Sequence, residues 1–189
     1  FIIKSDIYDD IGEAGFCQIY YDSKATDKEN LVDPRKILLR TGWTMSSAMH
    51  GGRKVLNSLA KAKALSLICE APGNPITAAY AKMIMRCIPE NGKLFWDEPE
   101  RWWAEQCLRG KDLAISRSIN GPTLGSRLVA QKLWGITVED QLYIENYFNQ
   151  MTELCPIRDP VIERVCATKW SCWAWRNCVL ECDSNTSWS

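Results

Sequence analysis

The sequence predicts an α+β fold that is predominantly α, with an N-terminal β-hairpin followed by about five helices. Strand-forming residues cluster between Phe16 and Tyr21 and return briefly at Leu31 and Val32. From residue 53 onward, apolar residues recur mainly at helical spacing. Strands that precede a run of helices indicate an α+β arrangement, and a chain of 189 residues that is 46% hydrophobic can bury a core.

The predicted hairpin is antiparallel and joins a strand that ends at Tyr21 to a short second strand. The connection between them, residues 22–30, is polar and long, which is typical of a hairpin with an extended loop. Asp33 and Pro34 follow the second strand directly. Asp before Pro is a common start of a helix, so the hairpin is expected to lead straight into one.

About five long helices are predicted after the hairpin, with one short helix before them and one after. Asn74 is expected to cap one of the long helices, with Pro75 in its first turn. Gly135 is expected to end another, and Thr137 to cap the one that follows. The predicted ranges are 35–40, 53–69, 74–87, 97–108, 123–134, 137–154 and 161–166.

Composition divides the chain into three segments. Residues 1–33 carry the hairpin, residues 34–158 are helical, and residues 159–189 form a tail rich in tryptophan and cysteine. The sequence starts at Phe1 in a strand-like stretch and without Met, so the chain is expected to be part of a longer polypeptide. The tail's tryptophans are Trp170, Trp173, Trp175 and Trp188.

Charge is balanced overall but strongly segregated along the chain. The formal net charge is zero, whereas residues 1–33 hold eight acids against three lysines. Residues 34–69 hold seven basic residues and no acid. Ordinary solvated helices mix both signs, so this acid-free segment predicts a surface for the backbone of a nucleic acid. Its cations are Arg35, Lys36, Arg40, Arg53, Lys54, Lys61 and Lys63.

The nine cysteines favour a reducing environment over a disulfide scaffold. Five are isolated in apolar or helical surroundings and are expected to be buried free thiols, namely Cys17, Cys69, Cys87, Cys107 and Cys155. The other four crowd together near the C-terminal end, where reduced thiols, a disulfide and a zinc site remain open. These weak metal candidates are Cys166, Cys172, Cys178 and Cys182.

The sequence indicates no catalytic set of residues. Asp9 and Asp10 are adjacent acids, but neighbouring strand residues point to opposite faces, and the pair is interpreted as an acidic turn. His50 has no partner in the sequence and is interpreted as a loop residue. Gly51 and Gly52 precede Arg53 and Lys54 and could present backbone N–H groups to a phosphate, although the P-loop spacing is absent.

Gly15-Phe16-Cys17-Gln18, inside the hairpin, resembles motif E, the primer grip, of viral RNA-dependent RNA polymerases. Tombusvirus-like enzymes carry Phe-Cys-Gln there, and nidovirus enzymes carry a similar Phe-Cys-Ser. Asp33-Pro34-Arg35-Lys36-Ile37-Leu38 resembles the Asp-Pro-x-Arg-x-Leu stretch after motif E in nodavirus and nidovirus polymerases. With the helix from Pro75 to Arg86, the ordered set covers residues 4–86 and is most similar to the nodavirus pattern.

This resemblance implies that the chain is the end of the palm, residues 1–33, followed by a helical thumb, residues 34–158. Phe16, Cys17 and Gln18 would then steady the 3′ end of the growing strand. The cations Arg35, Lys36, Arg40, Arg53 and Lys54 would face backbone phosphates of the template–product duplex. Contacts to A-form RNA through phosphates and 2′-hydroxyls are blind to sequence, as copying any template requires.

The family's catalytic carboxylates lie upstream of motif E and are absent here, so the chain alone is expected to be inactive. In the complete positive-strand RNA virus polymerase, a nucleotidyltransferase, Mg or Mn is expected on residues outside this chain. The expected partners are the palm and fingers, the template–product RNA, and other replication proteins or a membrane through the tail. The expected location is the host cytoplasm, at a membrane-associated replication complex.

Two other functions remain open from the residues themselves. One is a non-enzymatic helical protein that binds RNA or assists replication. The other is a helical domain whose tryptophan-rich tail binds a protein partner or a membrane interface.

Overall fold

The computed structural model describes residues 7–9, 13–21, 30–41, 52–88 and 120–167. These ranges contain six α-helices and a two-stranded antiparallel sheet. The prediction of an α+β fold that is predominantly α is therefore confirmed. The elements are β1 (Ile19–Tyr21), β2 (Asn30–Val32), α1 (Pro34–Arg40), α2 (Gly52–Glu70), α3 (Thr77–Cys87), α4 (Leu124–Trp134), α5 (Val138–Gln150) and α6 (Pro160–Cys166).

The hairpin turns one face of its short sheet toward the helices. Leu31 is fully buried, and the ring of Tyr20 packs edge-on against Trp134, with 5.9 Å between the ring centroids. Because side chains alternate along a strand, Tyr21 lies on the opposite face, where it is exposed. The register pairs Ile19 with Val32, Tyr20 with Leu31, and Tyr21 with Asn30.

Helix α1 begins where the sequence predicts. The Asp33 side chain accepts a hydrogen bond from the backbone N–H of Arg35 at 3.0 Å, and Pro34 occupies the first turn. The helix ends at Thr41, whose N–H bonds the carbonyl of Ile37. Its neighbours are α3 and α6, so α1 ties the hairpin to both ends of the helical part.

The pair α2 and α3 supplies most of the core. A short turn joins the two helices, which pack against each other along their length. Small residues on both helices, Ala64 and Ala81, are fully buried where the helices approach. The larger buried side chains of the pair are Leu65, Leu67, Ile68, Tyr80, Met83 and Ile84.

The turn from α2 to α3 differs from the prediction. Asn74 is not a helix cap, because α3 begins at Thr77 and the residue before it, Ile76, has φ 65 and ψ −53. The Thr77 N–H bonds the carbonyl of Pro75 at 2.6 Å, which makes this a γ-turn with positive φ. Such turns are rare, and the strained backbone costs about 1–3 kcal/mol. A β-branched residue at the central position is especially unfavourable at positive φ.

The side chain of Asn74 is committed to other partners, which explains the wrong prediction. Its Oδ1 accepts the N–H of Val32 at 3.2 Å, so it links the turn to β2. Its Nδ2 donates to Thr77 Oγ1 at 2.6 Å. Asn74 is fully buried, and a buried amide requires such partners.

Helices α4, α5 and α6 begin within one residue of their predicted starts, and the predicted cap at Thr137 is confirmed. Thr123 and Thr137 accept hydrogen bonds from the backbone N–H groups of Ser126 and Asp140, each at 3.1 Å. Gly135 adopts φ 68 after α4, as a left-handed residue that ends a helix does. The Asp159 side chain caps α6.

The predicted end of α5 is wrong. The helix stops at Gln150 rather than near residue 154. The guanidinium of Arg86, on α3, donates to the carbonyls of Phe148, Asn149 and Met151 at 2.8, 3.2 and 2.9 Å. The Phe148 carbonyl also accepts the Met151 N–H at 3.3 Å, and Arg86 supplies further donors to the carbonyls at this helix end. A side chain from another helix therefore stabilises the end of α5 at this position.

One core joins residues from all three sequence segments. Leu31 of the hairpin, Phe148 of α5 and Ile162 of α6 belong to the same buried cluster. The segment boundaries at 33/34 and 158/159 stay predictions. The predicted helix over 97–108, His50 and the tail tryptophans lie outside the described residues.

The strain at Ile76 predicts an unequal cost of two matched substitutions. Ile76 and Ile84 are 0% and 3% exposed, so each Ile→Ala change removes the same buried atoms. Such a change costs about 2–5 kcal/mol. We expect Ile76→Ala to cost about 1–2 kcal/mol less than Ile84→Ala, because the smaller side chain tolerates positive φ better.

Urea unfolding of the two variants measures this difference. Helix propensity opposes this expectation only weakly. Ala suits the helical position of Ile84 better than Ile does, which slightly lowers the cost of Ile84→Ala. An equal or larger loss at Ile76 would show that the turn stores no strain.

Candidate nucleic-acid interface

The Phe16-Cys17-Gln18 segment forms a tight turn rather than a continuous strand. The backbone N–H and C=O groups of Phe16 and Ile19 bond each other reciprocally, both at 2.9 Å. Between them, Cys17 and Gln18 have φ 52 and φ 67. Positive φ at both central residues is the geometry of a type I′ turn. The segment therefore projects as a tip beside β1, with Phe16, Cys17 and Gln18 all exposed.

Two features of this tip are specific to its sequence. A Cβ on Gly15 would lie 2.8 Å from the Tyr20 ring, so a larger residue there would require the ring, which packs against Trp134, to shift. Type I′ turns favour Asn-Gly, whereas here Cys17 and Gln18 occupy the two left-handed positions. Left-handed conformations in such residues cost on the order of 1 kcal/mol or more each, so the tip is strained and exposed.

The tip contacts the helix that carries the first cations of the acid-free segment. Lys36 Nζ, in the first turn of α1, donates to Gln18 Oε1 at 3.2 Å. The two motifs that resemble motif E and its Asp-Pro helix therefore meet in the structure. This contact forms one end of the candidate interface.

The guanidinium of Arg35 is held within the protein. It donates to both carboxylate oxygens of Asp33 at 2.9 Å and to the carbonyl of Trp134 at 3.1 Å. The bonds to Asp33 raise the pKa of Arg35, against the opposing effect of burial. Arg35 fixes α1 against the end of α4, and a phosphate contact by this residue stays a prediction that this geometry does not favour.

Arg40, Arg53 and Lys54 are exposed, and none has an acidic partner in the part of the chain that the structure describes. Arg53 and Lys54 occupy the first turn of α2, which contains no acid, and the helix ends at Glu70. The helix dipole favours the opposite placement of charge at both ends, by about 0.3–1 kcal/mol per group. These cations therefore do not serve the stability of α2.

The cations do not form one tight cluster. Glu70 accepts a hydrogen bond from Asn30 of β2 at 3.1 Å, so the C-terminal end of α2 lies at the hairpin. Arg53 is 17 residues earlier, about 25 Å along a helix that rises 1.5 Å per residue. The structure brings Gln18 and Lys36 together and leaves Arg53 and Lys54 at the far end of α2.

Exposed apolar side chains are concentrated in the first described stretches of the chain. Phe16 is 75% exposed and Ile7 is 97% exposed, and Tyr8 and Tyr21 are also well exposed. Scattered apolar residues are normal on a protein surface, but four within the short described stretches 7–9 and 13–21 are a concentration. Such a concentration is typical of a surface that another polypeptide covers.

The cysteine predictions are partly wrong. Cys17 and Cys155 are exposed, because one lies at the tip of a turn and the other follows the early end of α5; Cys69 and Cys87 are half-buried. Cys166 is buried on α6, and burial raises its pKa to about 11, with a further contribution from the Asp33 carboxylate. This disfavours the thiolate that zinc requires.

Cys107, Cys172, Cys178 and Cys182 lie outside the described residues. Among the residues that are described, no group of three His, Cys, Asp or Glu side chains is placed to hold a metal ion. No helix within the described ranges is long and apolar enough to cross a membrane.

No pattern in the sequence predicts the contact between α4 and α5. Arg127 and Glu145 form a largely buried bidentate ion pair between these helices, at 3.0 and 2.7 Å. They are 18 residues apart in the sequence, with no periodic or motif relation. Asp33 and Arg35 are close enough in sequence to have been recognised, because an N-cap Asp and an Arg two residues later share one turn.

Comparison with protein-family models, curated proteins and solved structures finds no match to this chain.

The strain in the type I′ turn predicts a stabilising substitution. Cys17→Asn combined with Gln18→Gly places the favoured residues at the two left-handed positions. We expect the free energy of unfolding to rise by about 0.5–2 kcal/mol, because left-handed backbone is less strained in Asn and Gly. Chemical denaturation measures the change.

Cys155→Asn provides the matched control, since it removes an exposed thiol that lies in no turn of positive φ. It is expected to leave stability within about 0.5 kcal/mol of the parent chain. A double variant no more stable than this control would contradict the strained-turn assignment.

Proposed function

We propose that this chain is the thumb portion, with the adjoining motif E hairpin, of a positive-strand RNA virus RNA-dependent RNA polymerase. The observation that carries the proposal is the contact between Gln18 and Lys36 at 3.2 Å. It joins an exposed, strained tip to Lys36, the second cation of the acid-free helical segment. The chain supplies grip on the nascent strand and the duplex, and the catalytic carboxylates belong to residues outside it.

The hairpin tip suits contact with the 3′ end of the growing strand. Its backbone is held by the reciprocal hydrogen bonds of Phe16 and Ile19 and braced by Lys36. Phe16, Cys17 and Gln18 all face outward. A rigid exposed backbone can orient a strand end without reading its bases.

The cations outside the internal ion pairs suit contact with the duplex backbone. Lys36 is half-buried and bonds the tip, whereas Arg40, Arg53 and Lys54 are exposed, the last two at the far end of α2. A duplex carries phosphates continuously along both strands, so separated cations can contact one duplex at separate points. Their unfavourable position on the α2 dipole supports a role outside the fold.

The exposed apolar side chains of the described N-terminal stretches suit contact with a palm. Thumb and palm share an interface in a complete polymerase, and Ile7 and Phe16, which are 97% and 75% exposed, suit such an interface. Mg or Mn would bind the palm. The host cytoplasm and a membrane-associated replication complex are the corresponding location.

Loss of the two cations on α2 tests the backbone contact. Arg53→Gln with Lys54→Gln is expected to weaken binding of a duplex RNA equally for unrelated sequences. The slope of log affinity against log salt should fall by about 1–2, since each lost phosphate contact removes about one unit. Fluorescence anisotropy with labelled duplexes, over a salt series, measures both quantities.

Arg158→Gln with Arg164→Gln removes the same charge from another part of the surface and should leave the slope unchanged. A loss of affinity confined to some RNA sequences, or an equal loss of affinity in this control, would refute the backbone contact. Tight, salt-sensitive binding by this chain with no requirement for a palm would instead favour a non-enzymatic RNA-binding protein.

Phe16→Ala tests the primer-grip role of the tip. Because Phe16 is 75% exposed, its loss should change stability by less than about 0.5 kcal/mol. In a polymerase that contains this chain together with palm and fingers, we expect initiation to fall by at least about tenfold, as misplacement of a reacting end by about 1 Å does. The rate of product formation from short primers measures initiation.

Tyr21→Ala is the control, since it removes an exposed aromatic ring from the same hairpin away from the turn. A Phe16→Ala enzyme that initiates normally would remove the primer-grip assignment, whatever the result with Arg53 and Lys54.

A further inference from the structure

The turn between α2 and α3 is held in its strained form by side chains from distant elements. Every residue from Ala71 to Ala78 is buried, so water cannot replace a lost hydrogen bond there. Ile76 sits at positive φ within this turn, and its own side chain is fully buried. A strained backbone persists only where its surroundings over-determine it.

Glu145, on α5, provides one of these restraints. Its Oε1 accepts the backbone N–H of Ile76 at 2.9 Å. The same carboxylate accepts two hydrogen bonds from Arg127 of α4, at 3.0 and 2.7 Å. Both side chains are only 12% exposed, so the ion pair is protected from water and from salt. One carboxylate therefore connects the turn to α4 and α5.

Asn74 provides the restraint on the other side. Its Oδ1 accepts the N–H of Val32 in β2 at 3.2 Å, and its Nδ2 donates to Thr77 Oγ1 at 2.6 Å. The hairpin and α5 thus bond Asn74 and Ile76, which lie two residues apart in one strained turn. A relaxation of Ile76 would move Asn74 and Thr77, and Asn74 carries the hydrogen bond to β2.

We propose that the Asn74–Thr77 turn is a conformational joint that couples the hairpin to α4 and α5, with Glu145 as its latch. While Glu145 holds the N–H of Ile76, the turn keeps its positive φ and Asn74 holds β2. When the hydrogen bond between Glu145 and the N–H of Ile76 breaks, the turn relaxes. The hydrogen bond between Asn74 and Val32, which holds the hairpin, is then lost. The joint belongs to the fold itself and does not depend on the chain binding RNA.

Hydrogen exchange of backbone amides, resolved by NMR on the full chain, tests the joint. Glu145→Gln removes the charge but keeps the shape of the side chain. We expect exchange at Ile76, Thr77 and Val32 to become at least about tenfold faster, because the turn and its anchor open together. Val32 has no contact with Glu145, so its response reports the coupling.

Asp140→Asn is the matched control. Asp140 lies on the same helix and accepts two hydrogen bonds from Arg164, at 3.3 and 2.7 Å, but does not bond the turn. Asp140→Asn should leave the exchange rates of the three amides unchanged. If Glu145→Gln accelerates the amides of Leu67 and Met83 as much as that of Val32, or leaves Val32 unchanged, the joint is refuted.

A double-mutant cycle covers the case in which Glu145→Gln does not fold. Arg127→Lys loosens the latch and keeps the charge, and Asn30→Ala removes the other tether of β2, its bond to the Glu70 carbonyl at 3.1 Å. If the two sites are coupled, the change in the unfolding constant of the double variant should differ at least about threefold from the product of the changes in the two single variants.

Arg164→Lys with Asn30→Ala is the control cycle and should be multiplicative. A multiplicative result for Arg127→Lys with Asn30→Ala would overturn the joint, since it would show that the hairpin tether and the latch act independently.

Discussion

The Glu145 carboxylate is the contact on which the arrangement of the helices depends most. A buried carboxylate without partners is strongly unfavourable, and here Arg127 and the N–H of Ile76 together supply three hydrogen bonds. Arg127 and Glu145 lie on consecutive helices, and Gly135, at φ 68, ends the first of them. The same carboxylate bonds the turn whose Asn74 bonds β2, so a chain of hydrogen bonds links the hairpin to α4 and α5.

Sequence alone does not separate two groups of cations in the described part of the chain. Arg35, Arg86 and Arg127 each donate to groups of the protein itself and join one element to another. Arg53 and Lys54 lie exposed in a helix turn where the dipole opposes them. The stability of the fold accounts for the three arginines of the first group, but it does not account for Arg53 and Lys54. The candidate interface is consequently narrower than the acid-free segment from which it was predicted, because Arg35 is bound to Asp33.

Local sequence signals predicted most helix starts, and long-range contacts caused the errors. Capping by Thr123, Thr137 and Asp159 depends on bonds within a few residues, so these starts are confirmed. The early end of α5 depends on Arg86, and the failed cap at Asn74 depends on β2, and neither contact leaves a trace in local sequence. At the candidate site, the hairpin and the Asp-Pro helix were predictable, whereas the bond between Gln18 and Lys36 required the tertiary structure.

The two strained turns differ in what can hold them. At Ile76, burial of the side chain and the bond to Glu145 offset the strain within the fold. At Cys17 and Gln18 the left-handed backbone is exposed, and Asn-Gly would form the same turn with less strain. The bond from Lys36 restrains Gln18 alone and gives no reason for the side chain of Cys17 or for the exposed ring of Phe16. Burial accounts for none of these three side chains, and their exposure at the tip supports the proposal that the tip contacts a partner.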